Sequence, residues 1–113
     1  MIKVFNQSQL AQQQAHGLVV GTSLRNKIHG YKFRQLVEVL GQPTFPYESV
    51  DGKTTKQWVV LFNDEVFTVY DWKTFDEDYT TNQLTQWNVG GKTSANEFVQ
   101  YLERKLWENL NNG

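Results

Sequence analysis

Two apolar runs separated by three polar residues constrain the fold most. Residues 58–62 and 66–70 consist almost entirely of β-branched and aromatic residues, and Asn63, Asp64 and Glu65 lie between them. Such residues favour strands, and a short polar link of this kind joins antiparallel strands. Because both runs are apolar at nearly every position, we expect a central hairpin that is covered on much of both faces.

Two helices are expected to supply this cover. The first, over residues 32–40, has apolar residues at i, i+3, i+4 and i+7, and Gly41 follows as a left-handed stop. The second begins at Ser94, which has capping-box spacing to Glu97, and continues to the C-terminus. Its expected buried stripe is Phe98, Val99, Leu102, Leu106 and Leu110. Tyr101 and Trp107 lie beside that stripe and are expected to widen it, the alternative being a contact with a second copy of the chain.

The first part of the chain gives weaker patterns. Residues 2–5 are compatible with a short edge strand, and the glutamine-rich residues 7–14 indicate either a short helix or a loosely held arm within residues 1–16. Gly17 and Gly21 enclose an apolar run, which suggests tight turns. The chain of 113 residues fits one domain, 1–113. We therefore predict an α+β fold, in which a small antiparallel sheet of about three to five strands, with a central hairpin, packs against two main helices.

Composition narrows the function classes. The chain has no cysteine and two histidines, so we expect no metal site and no cofactor. It has neither an N-terminal targeting pattern nor an apolar run of membrane-spanning length, which predicts a cytoplasmic protein without a membrane partner. Its near-neutral net charge of −1 argues against sequence-independent coating of DNA.

The charge is unevenly distributed. Residues 1–50 carry five basic and two acidic side chains, whereas residues 51–113 carry six basic and ten acidic ones. Four of the basic residues in the first part form a basic segment: Arg25, Lys27, Lys32 and Arg34. This segment could hold a phosphate or an acidic partner surface, and a solvated loop and helix face is the simpler interpretation.

Three short motifs combine small residues with aromatic or charged ones where regular elements should begin or end. They are GTSL (residues 21–24), YDWK (70–73) and WNVGG (87–91). Binding residues concentrate at such places. The candidate ligand- or partner-binding residues are Thr22, Ser23, Arg25, Lys27, Tyr70, Trp72, Lys73, Trp87, Gly90 and Gly91.

Each motif has a structural and a functional interpretation. Thr22 and Ser23 could satisfy backbone amides in a turn or form an anion-binding nest. Alternation places Tyr70 and Trp72 on one face, as core or as an aromatic platform, and Asp71 on the other, where it could pair with Lys73 or the basic segment. Gly90 and Gly91 could permit a sharp turn or let the backbone contact a ligand.

The order and spacing of GTSL, LVEVLGQPT, DGK, WVVLF, TVYDWK and WNVGG resemble a family of small proteins from tailed-phage genomes. The resemblance covers residues 21–106. It implies a phage accessory protein that acts inside the infected bacterium, where such proteins often interfere with host defence.

The chain departs from the family pattern at two places. Asn26 and Lys27 stand where the family has Gly-Tyr, and Asn88 stands where it has histidine. Loss of that histidine removes the best candidate for a general base or metal ligand. The sequence also lacks a phosphate-binding loop, a dinucleotide fingerprint and a recognisable triad, and the acidic cluster at 76–78 is typical of a solvated loop. We therefore predict that the protein is not an enzyme.

Two functional hypotheses follow. In the first, a non-enzymatic phage protein binds and inhibits a host defence protein through an aromatic surface around Trp72, Trp87 and Trp107. In the second, the chain binds a small phosphorylated ligand or nucleic acid, with Thr22, Ser23, Arg25 and Lys73 on the phosphate and Tyr70 or Trp72 stacking.

Overall fold

The computed structural model describes residues 2–47, 54–72 and 86–112. Within these residues the chain forms one five-stranded antiparallel sheet and three helices. In chain order the elements are β1 (Ile2–Val4), α1 (Gln9–Val19), β2 (Ser23–His29), α2 (Phe33–Leu40), β3 (Gln57–Phe62), β4 (Glu65–Tyr70), β5 (Gln86–Gly91) and α3 (Asn96–Asn112). The predicted α+β fold is confirmed, and α1 is a helix beyond the two that the fold prediction included.

The predicted hairpin is confirmed as β3 and β4. The strands pair from Gln57 opposite Tyr70 to Phe62 opposite Glu65, so only Asn63 and Asp64 form the turn. Both turn residues have positive φ, 51° and 68°. A two-residue hairpin turn that matches strand twist needs this conformation, and Asn and Asp tolerate it well. The strand order is β1-β3-β4-β5-β2, which places the hairpin inside the sheet.

One face of the sheet forms the main core beneath α2 and α3. Trp58, Phe67 and Trp87 are buried on this face and pack with Leu36 from α2 and Phe98 from α3. The Phe67 and Phe98 rings stack at 4.9 Å. Burial of these large apolar side chains is the dominant stabilising contribution to the fold.

The C-terminal helix differs in detail from its prediction. It begins at Asn96, whose backbone N–H donates to the Ser94 hydroxyl at 3.4 Å. Leu110 is 48% exposed and Trp107 is 61% exposed, so the expectation that both are buried was wrong. Tyr101 is half-buried and packs against the core, with its ring 5.2 Å from that of Phe62.

On the opposite face, α1 covers part of the sheet. Its buried Ala15 belongs to a second cluster with Phe5, Phe45, Val59 and Val66. The Ser8 hydroxyl caps the helix by accepting from the Ala11 N–H. The side chains of two glutamines donate to backbone carbonyls, Gln7 to Pro43 and Gln12 to Thr44, each at 2.8 Å. The sequence left open whether residues 1–16 form a loosely held arm. Residues 2–16 instead contain β1 and the first part of α1, and they are attached to the sheet.

The basic segment contains a strand that the sequence analysis did not predict. Arg25 and Lys27 lie in β2, which pairs with β5, and the register shifts between Leu24 and Asn26. The loop expected over these residues was therefore wrong. Gly17 lies inside α1 rather than in a turn, whereas Gly21 has φ of +86° between α1 and β2.

Both ends of α2 are attached to the sheet by tryptophans. The Trp87 indole N–H donates to the Tyr31 carbonyl at 3.0 Å, just before α2. The Trp58 indole N–H donates to the Gly41 carbonyl at 2.9 Å, just after α2. The two rings meet edge-on with centroids 5.5 Å apart. Gly41 has φ of +82°, as its predicted stop requires.

Several predicted features lie outside the described residues. These are Lys73, the DGK motif (residues 51–53) and the acidic cluster at 76–78. None of the helices in residues 2–47, 54–72 and 86–112 is both long and apolar enough to cross a membrane.

Candidate functional site

The three sequence motifs meet at one open cavity of about 260 Å³. It lies on the face of the sheet that carries α1, beyond the cluster around Val59 and Val66. We call it the motif cavity. It is lined by Thr22, Ser23, Thr54, Gln57, Thr68, Tyr70, Trp72 and Gly90.

Strand pairing explains why distant segments converge there. Gly90 of β5 pairs with Thr68 of β4 on one side and with Leu24 of β2 on the other. The GTSL motif therefore lies beside WNVGG, which lies beside the end of β4 where YDWK begins. Of the ten candidate residues, five line the motif cavity: Thr22, Ser23, Tyr70, Trp72 and Gly90.

Thr22 and Ser23 form the entry to β2. The Thr22 hydroxyl donates to the Val19 carbonyl at 2.7 Å, and the Thr22 N–H donates to the same carbonyl at 3.0 Å. Thr22 thus closes the turn after α1 through a carbonyl, whereas the sequence suggested backbone amides. Ser23 is exposed and leaves its hydroxyl beside the cavity.

Tyr70 and Trp72 form an angled aromatic wall. Their ring centroids are 6.5 Å apart and their planes meet at 66°. Tyr70 is half-buried, and this burial raises the pKa of its phenol above the ordinary value of 10.0. Trp72 is 49% exposed. The wall offers one ring face or edge to a ligand from each residue.

Asp71, between these two rings, points away from them and is fully buried. Its carboxylate accepts from the backbone N–H of Thr55 at 2.8 Å and of Lys56 at 3.1 Å, and from the Thr55 hydroxyl. Hydrogen bonds to a carboxylate are stronger than those between neutral groups. Asp71 thereby fixes the end of β4 to the entry of β3 and positions the aromatic wall.

Gly90 and Gly91 have no side chain, and neighbouring side chains occupy the space where one would lie. A Cβ on Gly90 would lie 2.6 Å from the Thr68 hydroxyl and 3.5 Å from the Tyr70 ring. A Cβ on Gly91 would lie 2.8 Å from the Phe67 ring on the core face. Both glycines are strand residues that let neighbouring side chains pack over the backbone. Gly90 therefore positions Thr68 and Tyr70, and the sharp turn expected at these glycines was wrong.

Trp87 does not contribute to a surface, because its side chain is fully buried in the core. Trp107 lies on α3, which packs on the opposite face of the sheet from the motif cavity. The predicted aromatic surface of Trp72, Trp87 and Trp107 was therefore wrong. Of these three, Trp72 is the one that lines the motif cavity.

Arg25 and Lys27 lie outside the cavity lining. The Arg25 guanidinium donates to the carbonyls of Gly91 at 3.0 Å and Lys92 at 3.1 Å, so it holds β2 to the segment that leads into α3. Lys27 is exposed opposite Asn88, which pairs in turn with Tyr70. Two strand spacings of about 4.8 Å therefore separate the backbones of Lys27 and Tyr70.

Three lining residues, Thr54, Gln57 and Thr68, are not among the candidates that the sequence motifs predict. Thr68 precedes Tyr70 by two positions, so strand alternation alone places both on one face. Gln57 pairs with Tyr70 across the hairpin, and its position follows from the hairpin register. The sequence carries no comparable signal for Thr54, which precedes β3.

The arrangement suits recognition of a ligand. Every described residue of the lining is uncharged, and together these residues present hydroxyl, amide, phenol and indole groups. Such a combination of aromatic and neutral polar groups is typical of sites that orient a small group. Within the described residues no group of three or more His, Cys, Asp and Glu side chains is arranged to hold a metal ion.

A larger cavity of about 560 Å³ lies at the hairpin turn and the start of α3. Its rim carries Glu65, which accepts from the Thr93 hydroxyl at 3.3 Å, and Glu97. Its lining contains none of the nine candidate residues that the structure describes. The motif cavity is therefore the candidate site. No family model, curated protein or solved structure matches the chain.

Proposed function

We propose that this chain is a non-enzymatic accessory protein of a tailed phage that binds and inhibits a defence-related host protein in the bacterial cytoplasm. The observation that supports binding is the convergence of all three motifs on one cavity. The phage origin and the inhibitory role rest on the resemblance of the motifs to the tailed-phage family.

The chemistry of the lining supports binding rather than catalysis. A general acid or base needs a pKa near the working pH. The lining offers hydroxyl and amide groups and a Tyr70 phenol whose pKa is raised further from neutrality. These groups hold a partner group by hydrogen bonds and ring contacts.

Trp72 is the expected anchor of the interface. Tryptophan is enriched among interface residues that contribute most to affinity. Trp72 is half-exposed at the rim of a concave site, where a partner would cover it. Asp71 holds the adjacent backbone and the Tyr70 ring contacts the Trp72 ring, so little ordering is needed on binding.

The test is capture of partners from bacterial lysate by the tagged wild type, the Trp72→Ala variant and the Trp107→Ala variant. Trp107 is the matched control because it is also an exposed tryptophan, 61% against 49%, but lies on α3. We expect the wild type and Trp107→Ala to retain the same host protein stoichiometrically. Truncation of Trp72 should reduce retention by at least about tenfold, as for an interface residue worth roughly 2 kcal/mol.

Circular dichroism and thermal unfolding establish that each variant is folded before retention is compared. Equal retention by Trp72→Ala and the wild type would contradict the use of the motif cavity. A retained protein whose activity is unchanged in the complex would contradict inhibition.

A small ligand is the second candidate, favoured by the hydroxyls and aromatic rings that share the motif cavity. A phosphorylated ligand or nucleic acid is less well supported, because Arg25 donates to two backbone carbonyls. Mass spectrometry of the same captured samples for nucleotides and nucleic acid distinguishes this candidate from a protein partner.

A further inference from the structure

The motif cavity has room for a single ring. Its volume of about 260 Å³ is below the roughly 300–1,000 Å³ of sites that enclose a drug-sized ligand. A cavity of this size at a protein interface receives one side chain of the partner. The chemistry of the lining then determines which side chain fits.

The lining favours an uncharged occupant. None of the described residues that line it is charged, and the Arg25 guanidinium is bound to the carbonyls of Gly91 and Lys92. A phosphate or carboxylate in this cavity would lose water without gaining a charged partner from the lining. Burial of an unpaired charge is costly, so the described lining favours an uncharged group over an anionic one.

Polar groups at the base of the cavity can form a hydrogen bond with an occupant. Thr68 is only 1% exposed, and its hydroxyl lies directly over Gly90. The half-buried Gln57 amide lies on the same face, one strand away. A polar group on the occupant would satisfy these groups, whereas a purely apolar occupant would leave them without a partner.

The wall favours an aromatic occupant. Because the Tyr70 and Trp72 planes meet at 66°, a third ring that stacks on one of them presents its edge to the other. Stacked and edge-on contacts are the preferred geometries of aromatic pairs. The cavity thus combines an aromatic wall with a polar base.

We propose that the motif cavity binds an uncharged aromatic ring with a hydroxyl on its edge, supplied by the partner protein as a tyrosine side chain. This inference rests on the proposed function, since it names the group by which the partner is recognised. The Trp72 ring contacts the tyrosine ring, and the tyrosine hydroxyl reaches the Thr68 hydroxyl at the base.

The test titrates three small probes into the full-length, isotope-labelled protein and follows backbone and indole NMR signals. The probes are N-acetyl-tyrosinamide, N-acetyl-phenylalaninamide and the O-phosphorylated tyrosine amide. We expect the tyrosine probe to bind with Kd on the order of 1 mM, as its few atoms allow, and to shift the signals of Thr68, Trp72 and Gly90. The phenylalanine probe should bind roughly threefold to tenfold more weakly, and the phosphorylated probe at least about tenfold more weakly.

The Thr68→Val variant isolates the hydroxyl, because valine keeps the branched shape of threonine. In this variant the tyrosine probe should bind only as tightly as the phenylalanine probe does. The affinity for the phenylalanine probe itself should not change. Trp72→Ala should weaken both probes, and Trp107→Ala should weaken neither. If Thr68→Val does not fold, the comparison of the three probes on the wild type still tests whether the cavity prefers tyrosine to phenylalanine and to phosphotyrosine.

Equal affinity for the tyrosine and phenylalanine probes would overturn the inference, as would tighter binding of the phosphorylated probe. Failure of all probes to bind would overturn it too. A host protein retained through Trp72 without probe binding would leave the proposed function standing and this inference refuted. Probe binding without a retained host protein would support the ring specificity and refute the proposed function.

Discussion

At the residue scale, the two adjacent glycines of β5 serve opposite faces of the sheet. The missing side chain of Gly90 leaves room for Thr68 and Tyr70 at the motif cavity, and that of Gly91 leaves room for the Phe67 ring in the core. Phe67 in turn stacks on Phe98 of α3. One dipeptide therefore contributes both to the candidate site and to helix packing.

Gly91→Ala should destabilise the protein by about 1–3 kcal/mol, the usual cost of overpacking a core. The added methyl group would lie 2.8 and 3.0 Å from two Phe67 ring atoms, and Phe67 is 2% exposed. Urea unfolding monitored by circular dichroism measures the change.

Gly17→Ala is the matched control. Gly17 lies inside α1, and a Cβ added there would have open space within 4 Å. Alanine is the better helix former, so this variant should gain about 0.5–1 kcal/mol. If Gly91→Ala is as stable as the wild type, the close packing of β5 against Phe67 is refuted.

At the element scale, α2 is a short helix with a tryptophan hydrogen bond at each end. Trp87 binds the carbonyl of Tyr31 before the helix, and Trp58 binds the carbonyl of Gly41 after it. A helix of eight residues is marginal by itself. These two bonds, together with the burial of Leu36 and Leu40, fix α2 on the sheet.

Trp58→Phe and Trp87→Phe should each remove one of these bonds and destabilise the protein by at least about 1 kcal/mol. Their local effects should differ. Trp58→Phe should speed hydrogen exchange most at the Gly41 N–H, which donates to Val37, and Trp87→Phe at the Leu36 N–H, which donates to Lys32. Amide exchange by NMR measures both, and each variant is the control for the other. The same exchange pattern in both variants would contradict separate attachment of the two ends.

Local patterns predicted the elements that depend on neighbours in sequence. The hairpin and α2 follow from β-branched residues and helical spacing that persist over whole elements. β2 was not predicted, because its only buried residue is Ile28 and the register shift beside Arg25 interrupts the alternation of its sides. Five of the ten candidate residues meet at the motif cavity, as their motifs predicted. The burial of Trp87 and the carbonyl partners of Arg25 could not be predicted, because both depend on the strand order, which the sequence left open.

At the scale of the whole molecule, the N-terminal residues supply both edges of the sheet. β1 pairs with β3 at one edge and β2 pairs with β5 at the other. The exposed edge at β2 carries Arg25 and Lys27, which discourage pairing with other chains. The edge of β3 has no such charges along its apolar residues and is covered by β1.

Deletion of residues 1–5 should therefore expose an apolar edge. It removes β1 and the buried Phe5, whose N–H donates to the Val59 carbonyl at 3.0 Å. We expect a lower unfolding midpoint and self-association that increases with concentration. Size-exclusion chromatography with light scattering measures the association, with Lys3→Ala in the intact chain as the control. A stable monomer after deletion would show that β1 does not protect β3.

The strand order also determines when the chain can fold during its synthesis. Strands β1 and β2 are synthesised before their partners and can pair only after β3 and then β5 have been made. The sheet is completed only after β5, which ends at Gly91, has left the ribosome, so β1 and β2 lack their sheet partners during much of synthesis. The glutamine-rich start of α1 lies between β1 and β2. It keeps this part of the chain polar and soluble while the two strands are still unpaired.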